Sequence, residues 1–372
     1  MVTRTTTRTC IAEEIIQLGV ARRLLSPNAM TWADAVFLFF FDPEQGMNLT
    51  HALLGGLVGI GGALAGFSLL LHRPRVARAG VVLGLTGLAA WLLLWGFRPA
   101  WLRHAAEDGA TLPVASPWGW MTQMEGLETA DVRLMVAGDH VDTMSLVRLD
   151  PARFDFRVHW DPEPSRTIDE WQQALGAAVV INGSYFMPDA TPATPLRMAG
   201  RWVGPGRYTS THGALAMGAG FDIVDLRDQD RDLHEALSTY QDAMVSYPLL
   251  VDRQGQTRAT GGRSDWLASR TFVGLDPQGR VLFGFTQTGY FSLERLGRFL
   301  ESGPIELAVA LNLDGGPLAA QAVIAGAFRR TLIGAAEIQE TDDVLRAFYQ
   351  AHARRRWRLP IVLAASLKDA GT

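Results

Sequence analysis

Two runs without a single Asp, Glu, Lys or Arg stand close together near the start of the 372-residue chain. Asn48 to Leu71 is 24 residues long and Ala79 to Phe97 is 19. At ~1.5 Å rise per residue, a helix over either one is long enough to cross a hydrocarbon core of about 30 Å. The seven residues between them, His72 to Arg78, leave room only for a tight hairpin. Gly55 and Gly59, Gly62 and Gly66, and Gly80 and Gly84 recur four apart, a spacing that lets helices approach closely in lipid. Two buried helices of a soluble domain are the competing reading, but adjacent charge-free runs of this length are rare in soluble cores. The expectation is a two-helix transmembrane hairpin over 48–97, anchored in the inner (plasma) membrane bilayer.

Arginine placement orients the hairpin. Arg73, Arg75 and Arg78 crowd the connecting loop, against Arg98 and Arg103 after the second span. The positive-inside rule puts the loop in the cytoplasm and everything after Phe97 outside. Residues 1–47 give no clear pattern, and 98–129, with Pro99, Pro113 and Pro117, read as a linker. The remaining 130–368 read as one extracytoplasmic domain.

Composition narrows the function classes. The apolar share of 48% is ordinary for a folded chain, which excludes disorder and a wholly membrane-embedded transporter. A formal net charge of −4 gives no general attraction to nucleic acid. Lys368 is the only lysine, so Schiff-base and P-loop lysine chemistry are nearly excluded. The lone Cys10 allows neither an internal disulfide nor a Cys-based zinc site.

From about Ala130 the texture becomes β-rich. Val132–Ala137, Met144–Leu149 and Phe154–Trp160 read as three strands. Ser165 or Thr167 caps a helix over Ile168–Leu175, with Asp169 and Glu170 in its first turn. Ala177–Ile181 reads as a buried strand. Asp276-Pro277-Gln278-Gly279 joins strands Thr271–Leu275 and Arg280–Phe285 in a hairpin. Ser292 caps a helix to Leu300, Leu307–Leu313 is another buried strand, Thr341 caps a helix through His352, and Ile361–Ser366 is a closing strand. The fold class expected is α+β, a mixed sheet with packed helices.

No P-loop, H-E-x-x-H or G-x-S-x-G motif occurs, and the histidines lack ligand spacing, so no metal or cofactor is expected. Asp228 to Asp232 resembles the start of an EF-hand loop but lacks the later glycine and glutamate. Two strand ends stand out. Val179-Val180-Ile181 runs into Asn182-Gly183-Ser184-Tyr185-Phe186, and Leu311-Asn312-Leu313 runs into Asp314-Gly315-Gly316. Polar residues at the ends of buried strands are well placed for a site. Gly315 and Gly316 allow close backbone approach to a ligand and can present N–H donors to an anion. N-G and D-G are also ordinary turn dipeptides.

The order of four segments resembles a known family. Asn182 to Phe186 (NGSYF), Pro248 to Val251 (PLLV), Ser269 to Arg280 (SRTFVGLDPQGR) and Ala310 to Gly316 (ALNLDGG) follow the pattern of the phosphodiester glycosidase domain. That family includes the lysosomal enzyme that removes N-acetylglucosamine from a phosphodiester to uncover mannose 6-phosphate. The resemblance spans roughly 130–368 and leaves out the hairpin. Many relatives follow D-G-G with a serine-bearing segment; this chain has Pro317-Leu318-Ala319-Ala320.

The resemblance implies a site built from Asn182, Arg270, Asn312, Asp314, Gly315 and Gly316, with Gly183 beside them. Arg270 would grip a phosphate through parallel charged hydrogen bonds that Lys cannot mimic. Asp314 would act as acid, base or nucleophile at the anomeric carbon. Asn182 and Asn312 would hold sugar hydroxyls or shape the pocket, and Tyr185 or Phe186 would stack on a sugar. His212 is a weaker candidate for proton transfer. No second carboxylate is identifiable; Asp222 and Asp265 are the guesses. The function implied is a membrane-anchored hydrolase of a sugar phosphodiester in a glycan or envelope glycopolymer. The alternative is an inactive glycan-binding or polysaccharide-assembly protein.

Overall fold

The computed structural model describes residues 81–82, 84–86, 100–107, 111–208, 212–218, 220–227, 233–259, 266–341, 344–349 and 356–368. Helix α1 (Ala100–Glu107) precedes β1 (Val114–Ala115), β2 (Met121–Met124), β3 (Leu127–Val136), β4 (Asp139–Leu149) and β5 (Phe154–Trp160). Helix α2 (Ile168–Leu175) leads into β6 (Val179–Asn182), β7 (Leu196–Met198), β8 (Arg201–Val203), β9 (Gly213–Met217) and β10 (Phe221–Asp225). The one-turn α3 (Leu233–Ala236) is followed by β11 (Asp242–Ser246), β12 (Leu249–Val251), β13 (Trp266–Ala268), β14 (Thr271–Leu275) and β15 (Val281–Thr286). After α4 (Leu293–Glu301) come β16 (Val309–Asn312), a 3₁₀ turn (Gly316–Leu318), β17 (Ala320–Ala325), β18 (Phe328–Ile333), β19 (Ala336–Thr341), β20 (Val344–Tyr349) and β21 (Ile361–Leu367).

The strands form four sheets. The largest has eight strands in the order β1-β3-β4-β15-β14-β16-β12, with β2 paired to β3. Two five-stranded sheets run β18-β17-β6-β21-β5 and β10-β9-β11-β7-β8, and a three-stranded sheet runs β13-β19-β20.

Alternation along the strands explains how the sheets stack. Val179 and Ile181 of β6 enter the same core as Val273 of β14, Leu311 of β16 and Leu215 of β9. Val180, pointing the other way, packs under α2 with Trp171. Phe272 and Ala310 face a second core with Trp101 of α1 and Phe299 of α4. Both faces of the central strands are therefore dry, so their sequences are continuous apolar runs rather than alternating ones.

The expected α+β fold with packed helices holds in part. Among the described residues the fold is mostly β, with four helices from Ala100 onward, and every ladder is antiparallel. Continuous apolar runs such as Ala177–Ile181 arise here from sheets covered on both sides by other sheets and helices, not from parallel crossovers.

Several local expectations hold. Helix α2 spans Ile168–Leu175 with Thr167 as N-cap, and Glu170 reaches back to accept from the Thr167 N–H at 2.7 Å. Ser292 caps α4 by accepting from the Arg295 N–H at 3.1 Å. The Asp276–Gly279 hairpin joins β14 to β15. Two do not hold. Thr341 starts no helix: it ends β19 and pairs with Val344 of β20, because the ladder from Ala336 to Tyr349 outweighs local helix propensity. Residues 100–107 and 114–124 are not open linker, since Trp101 and Ala105 are buried and β1 and β2 both pair with β3.

No helix among the described residues is long and apolar enough to cross a membrane. The expected spans 48–71 and 79–97 lie outside the described residues, save Val81, Val82 and Gly84 to Thr86, which are helical. Residues 1–47, the Asp228–Asp232 run and Asp265 also lie outside them.

Candidate functional site

All four sheets send a chain end to one place. Strand β6 delivers Asn182 and Gly183 from one five-stranded sheet. The eight-stranded sheet delivers Arg270 just before β14 and Asn312 at the end of β16. His212 precedes β9 and Tyr247 follows β11, both in the second five-stranded sheet. The small sheet brings Glu337, which β19 pairs opposite Ala268, two residues before Arg270.

The Asp314 main chain is pinned on three sides. Its N–H donates to Gly183 O at 3.1 Å. Its carbonyl accepts from Asn182 Nδ2 and from Thr271 Oγ1, each at 2.8 Å. The side chain is less committed: Oδ1 accepts from the Gly315 N–H at 2.9 Å, and Oδ2 has no hydrogen-bond partner among the described residues.

Asn182 clamps three main-chain groups. It is buried, its Nδ2 donates to Asp314 O and Gly183 O, and its Oδ1 accepts from the Ala320 N–H at 3.0 Å. Asn312 is buried as well; its Nδ2 lies 2.7 Å from the Tyr185 hydroxyl and 3.0 Å from Tyr247 O. Its Oδ1 is a buried acceptor without a partner among the described residues. The Tyr185 hydroxyl in turn donates to Tyr247 O at 3.1 Å. Tyr185, Tyr247 and His212 form one stack, with centroid spacings of 4.3 and 4.8 Å. Tyr185 is thus held edge and face by protein.

The glycines serve the chain crossing. A Cβ on Gly183 would meet Ile361 Cγ2 at 2.3 Å, and the Gly183 N–H donates to Ile361 O at 2.8 Å. Gly316 has φ +64°, and a Cβ there would lie 2.6 Å from Glu337 Oε2. Its N–H donates to Ser269 O at 2.8 Å. The Gly315 N–H is committed to Asp314, so the expected anion nest of free backbone donors does not form.

Arg270 is the unusual group. It is only 4% exposed, yet its Nε donates to Phe291 O at 3.1 Å and its Nη2 to Trp266 O at 2.7 Å, both neutral carbonyls. No carboxylate among the described residues lies within 4.0 Å of it. Its Nη1 borders Gly315, 3.4 Å from where a Cβ would stand. Burial pulls its proton affinity down, while the fields of Tyr185, Glu337 and Asp314 act in the opposite sense.

Facing it are two carboxyl groups whose proton affinity is raised. Asp314 is pushed up to about 8, first by burial and then by the negative charge of Glu337, against the Gly315 N–H and Arg270. Burial also raises Glu337, opposed by the Trp266 Nε1–H bond to its Oε1 at 2.9 Å and by Arg270. Burial raises Tyr247 to about 12, with Asp314 adding to the shift. Burial lowers His212 to about 4, so its ring is neutral at physiological pH. A buried cation opposite a proton-holding carboxyl pair can bind an anion and move a proton beside it.

Asn182, Gly183, Tyr185, His212, Arg270, Asn312, Asp314, Gly315 and Gly316 thus converge. Of the two guessed helper carboxylates, Asp222 sits on β10 and pairs with Arg253 instead. Glu337 and Tyr247 were the residues not anticipated. Glu337 lies between buried Ala336 and Ile338, an alternation that marks a strand, but nothing in that alternation points to Arg270. Among the described residues no group of three or more His, Cys, Asp or Glu side chains is placed to hold a metal ion.

No curated protein matches the chain. Solved structures similar to it include a hypothetical protein from Synechocystis, 15% identical with a TM-score of 0.46, covering 68% of this chain and 64% of that one. Another is the catalytic domain of zebrafish N-acetylglucosamine-1-phosphodiester alpha-N-acetylglucosaminidase, auto-inhibited by its pro-peptide. It is 14% identical, with a TM-score of 0.46, and the match covers 68% of this chain and 88% of that one. A third, from Burkholderia pseudomallei and described as exported, is 9% identical with a TM-score of 0.45 over 70% of this chain and 98% of that one. The chain spans about two thirds of the Synechocystis protein's length. Residues 175–343, which hold every site residue named above, match the family model described as phosphodiester glycosidase.

Proposed function

We propose that this chain hydrolyses the bond between the anomeric carbon of a sugar and a phosphodiester oxygen. The observation that supports this most directly is Arg270: a buried guanidinium held by two neutral carbonyls, without a carboxylate among the described residues within 4.0 Å, facing two carboxyls. A phosphodiester supplies the missing negative charge and benefits from a planar donor.

The residues then divide the work. Arg270 holds the phosphate and stabilises the charge that grows on its oxygen as the C–O bond breaks. Asp314 and Glu337 act as a coupled pair that holds a proton at neutral pH. The ionised member accepts a proton from water as the water oxygen bonds to the anomeric carbon. The protonated member donates to the departing phosphate oxygen. One water is consumed, and the products are a free sugar and a phosphomonoester. Asn182 and Thr271 position Asp314 through its carbonyl and touch no substrate.

The two charge-free runs support anchoring in a membrane, and the arginine count of their loop supports an extracytoplasmic catalytic domain. A glycan or envelope glycopolymer is the substrate class this location suggests. Reporter fusions after Phe97 check the orientation; a cytoplasmic signal there refutes it.

For the reaction, the full chain is incubated with synthetic N-acetylglucosamine phosphodiesters in ¹⁸O water. The expected products are free sugar carrying the label and unlabelled phosphomonoester. Label in the phosphate, with sugar 1-phosphate released, means P–O cleavage and overturns the proposal. The alternative of glycan binding without catalysis draws on the buried Ala319 and Ala320, which offer no hydroxyl after the 3₁₀ turn. Sugar binding with no turnover of any phosphodiester favours it.

A further inference from the structure

A concave site lies at the other end of strand β14. A cleft of about 290 Å³ opens between Trp118 and Trp120 on one side and Pro304 and Glu306 on the other, with Arg148 and Asp276 in its wall. Asp276 stands six residues from Arg270 along an extended strand, about 20 Å at ~3.3 Å per residue. The cleft is therefore separate from the centre that holds Asp314.

Its chemistry differs from that centre. The two indole rings meet edge to face at 77° with centroids 5.5 Å apart, forming a corner. Arg148 backs this corner, its guanidinium carbon 4.0 Å from the Trp120 ring centroid. That guanidinium is already neutralised by Glu128 at 2.6 Å, and Asp276 by Arg280 at 2.6 Å. Glu306 is exposed and makes no ion pair among the described residues. Neither the Trp118 nor the Trp120 N–H has a hydrogen-bond partner among the described residues, and both rings are partly exposed.

An aromatic corner with two idle N–H donors and one idle carboxylate suits a pyranose. A sugar ring offers an apolar C–H face to the indole and a rim of hydroxyls that both accept and donate. The volume sits at the lower end of small-molecule sites, about 300 Å³, which is room for one ring. The uncompensated charge of Glu306 disfavours an anionic sugar.

We propose that this cleft is a second saccharide site, which holds one neutral or amino-bearing sugar unit away from the reacting bond. The choice of a sugar ligand rests on the glycosidase reading. A polymeric substrate engages both sites; a single glycosyl phosphodiester engages only the catalytic one.

The test uses the full chain in detergent with Asp314→Asn to stop turnover. Methyl glycosides of glucose, glucosamine and N-acetylglucosamine are followed by saturation-transfer NMR and calorimetry. Binding with Kd on the order of 1 mM is expected, at least tenfold weaker in Trp118→Ala and in Glu306→Gln. Glucose 1-phosphate is expected not to displace the glycosides. With Asp314 intact, both variants keep kcat on a small phosphodiester within about twofold of the parent. Glu306→Gln, an exposed change, keeps the test valid if Trp118→Ala fails to fold. Absence of glycoside binding, or binding that survives both variants, overturns the proposal. Loss of lipid-vesicle binding in Trp118→Ala, without any glycoside binding, assigns the corner to a membrane surface instead. Glycoside binding without phosphodiester hydrolysis leaves the cleft standing and removes the proposed reaction.

Discussion

Strand β14 has an Arg and an Asp near each end, and the two ends treat them in opposite ways. At the far end Arg280 Nε donates to Asp276 Oδ2 at 2.6 Å, and Asp276 Oδ1 accepts from the N–H groups of Gln278 and Arg280. Those two charges answer each other locally. At the near end Arg270 is more deeply buried and spends its donors on carbonyls, while one Asp314 oxygen has no hydrogen-bond partner among the described residues and the group is pushed up to about 8. A structural ion pair closes on itself. A pair held apart in a dry site leaves a field for a ligand to complete, at some cost in stability.

The sharpest way to break this contrast is to remove each aspartate. Asp314→Ala is expected to lower kcat by ~10³-fold or more, as for loss of an acid–base group, while Asp276→Ala leaves kcat within about twofold. Sugar release from a phosphodiester checks both. The arginines follow. Arg270→Lys should cost ~10²-fold in kcat/KM, because an ammonium cannot keep both carbonyl bonds and face the phosphate, whereas Arg280→Lys should leave it unchanged.

Asn182→Ala tests positioning. It removes the Asn182 bonds to the Asp314 and Gly183 carbonyls and to the Ala320 N–H. A loss of roughly 2–4 kcal/mol in denaturant unfolding is expected, since buried backbone groups are left unsatisfied. KM should change less than kcat.

Two smaller effects concern pH. Asp314 holds its proton up to about 8 in the folded chain against an ordinary 3.8, so folding is favoured by that proton. This contribution is complete below about pH 4 and is lost as pH rises through 8. Asp314→Asn should flatten the decline in Tm across that window, read by thermal melting. His212 has the opposite sign. Its value falls from 6.5 to about 4, so its contribution is present above 6.5 and is lost as pH falls toward 4. His212→Gln should flatten the acid side only.

Much of the local structure was legible in the chain itself. Thr167 and Ser292 cap their helices as expected because a side-chain oxygen and its neighbouring N–H groups are close in sequence. The Asp276–Gly279 turn was readable for the same reason. Asn182, Arg270 and Asp314 were named together only through the family resemblance, since no local pattern links positions so far apart in the chain. Glu337 was not readable, because what matters is its pairing opposite Ala268, some seventy residues earlier.

The sequence by itself determined which strands are buried and where their polar ends fall, since apolar runs and turn residues act over a few positions. Only the tertiary structure decided what those ends do. It turned Asn182 into a clamp, committed the glycine N–H groups to a chain crossing, and set Glu337 beside Asp314. The reason is physical: a side chain's proton affinity and free hydrogen-bonding capacity depend on the groups packed around it, and here four separate sheets supply them.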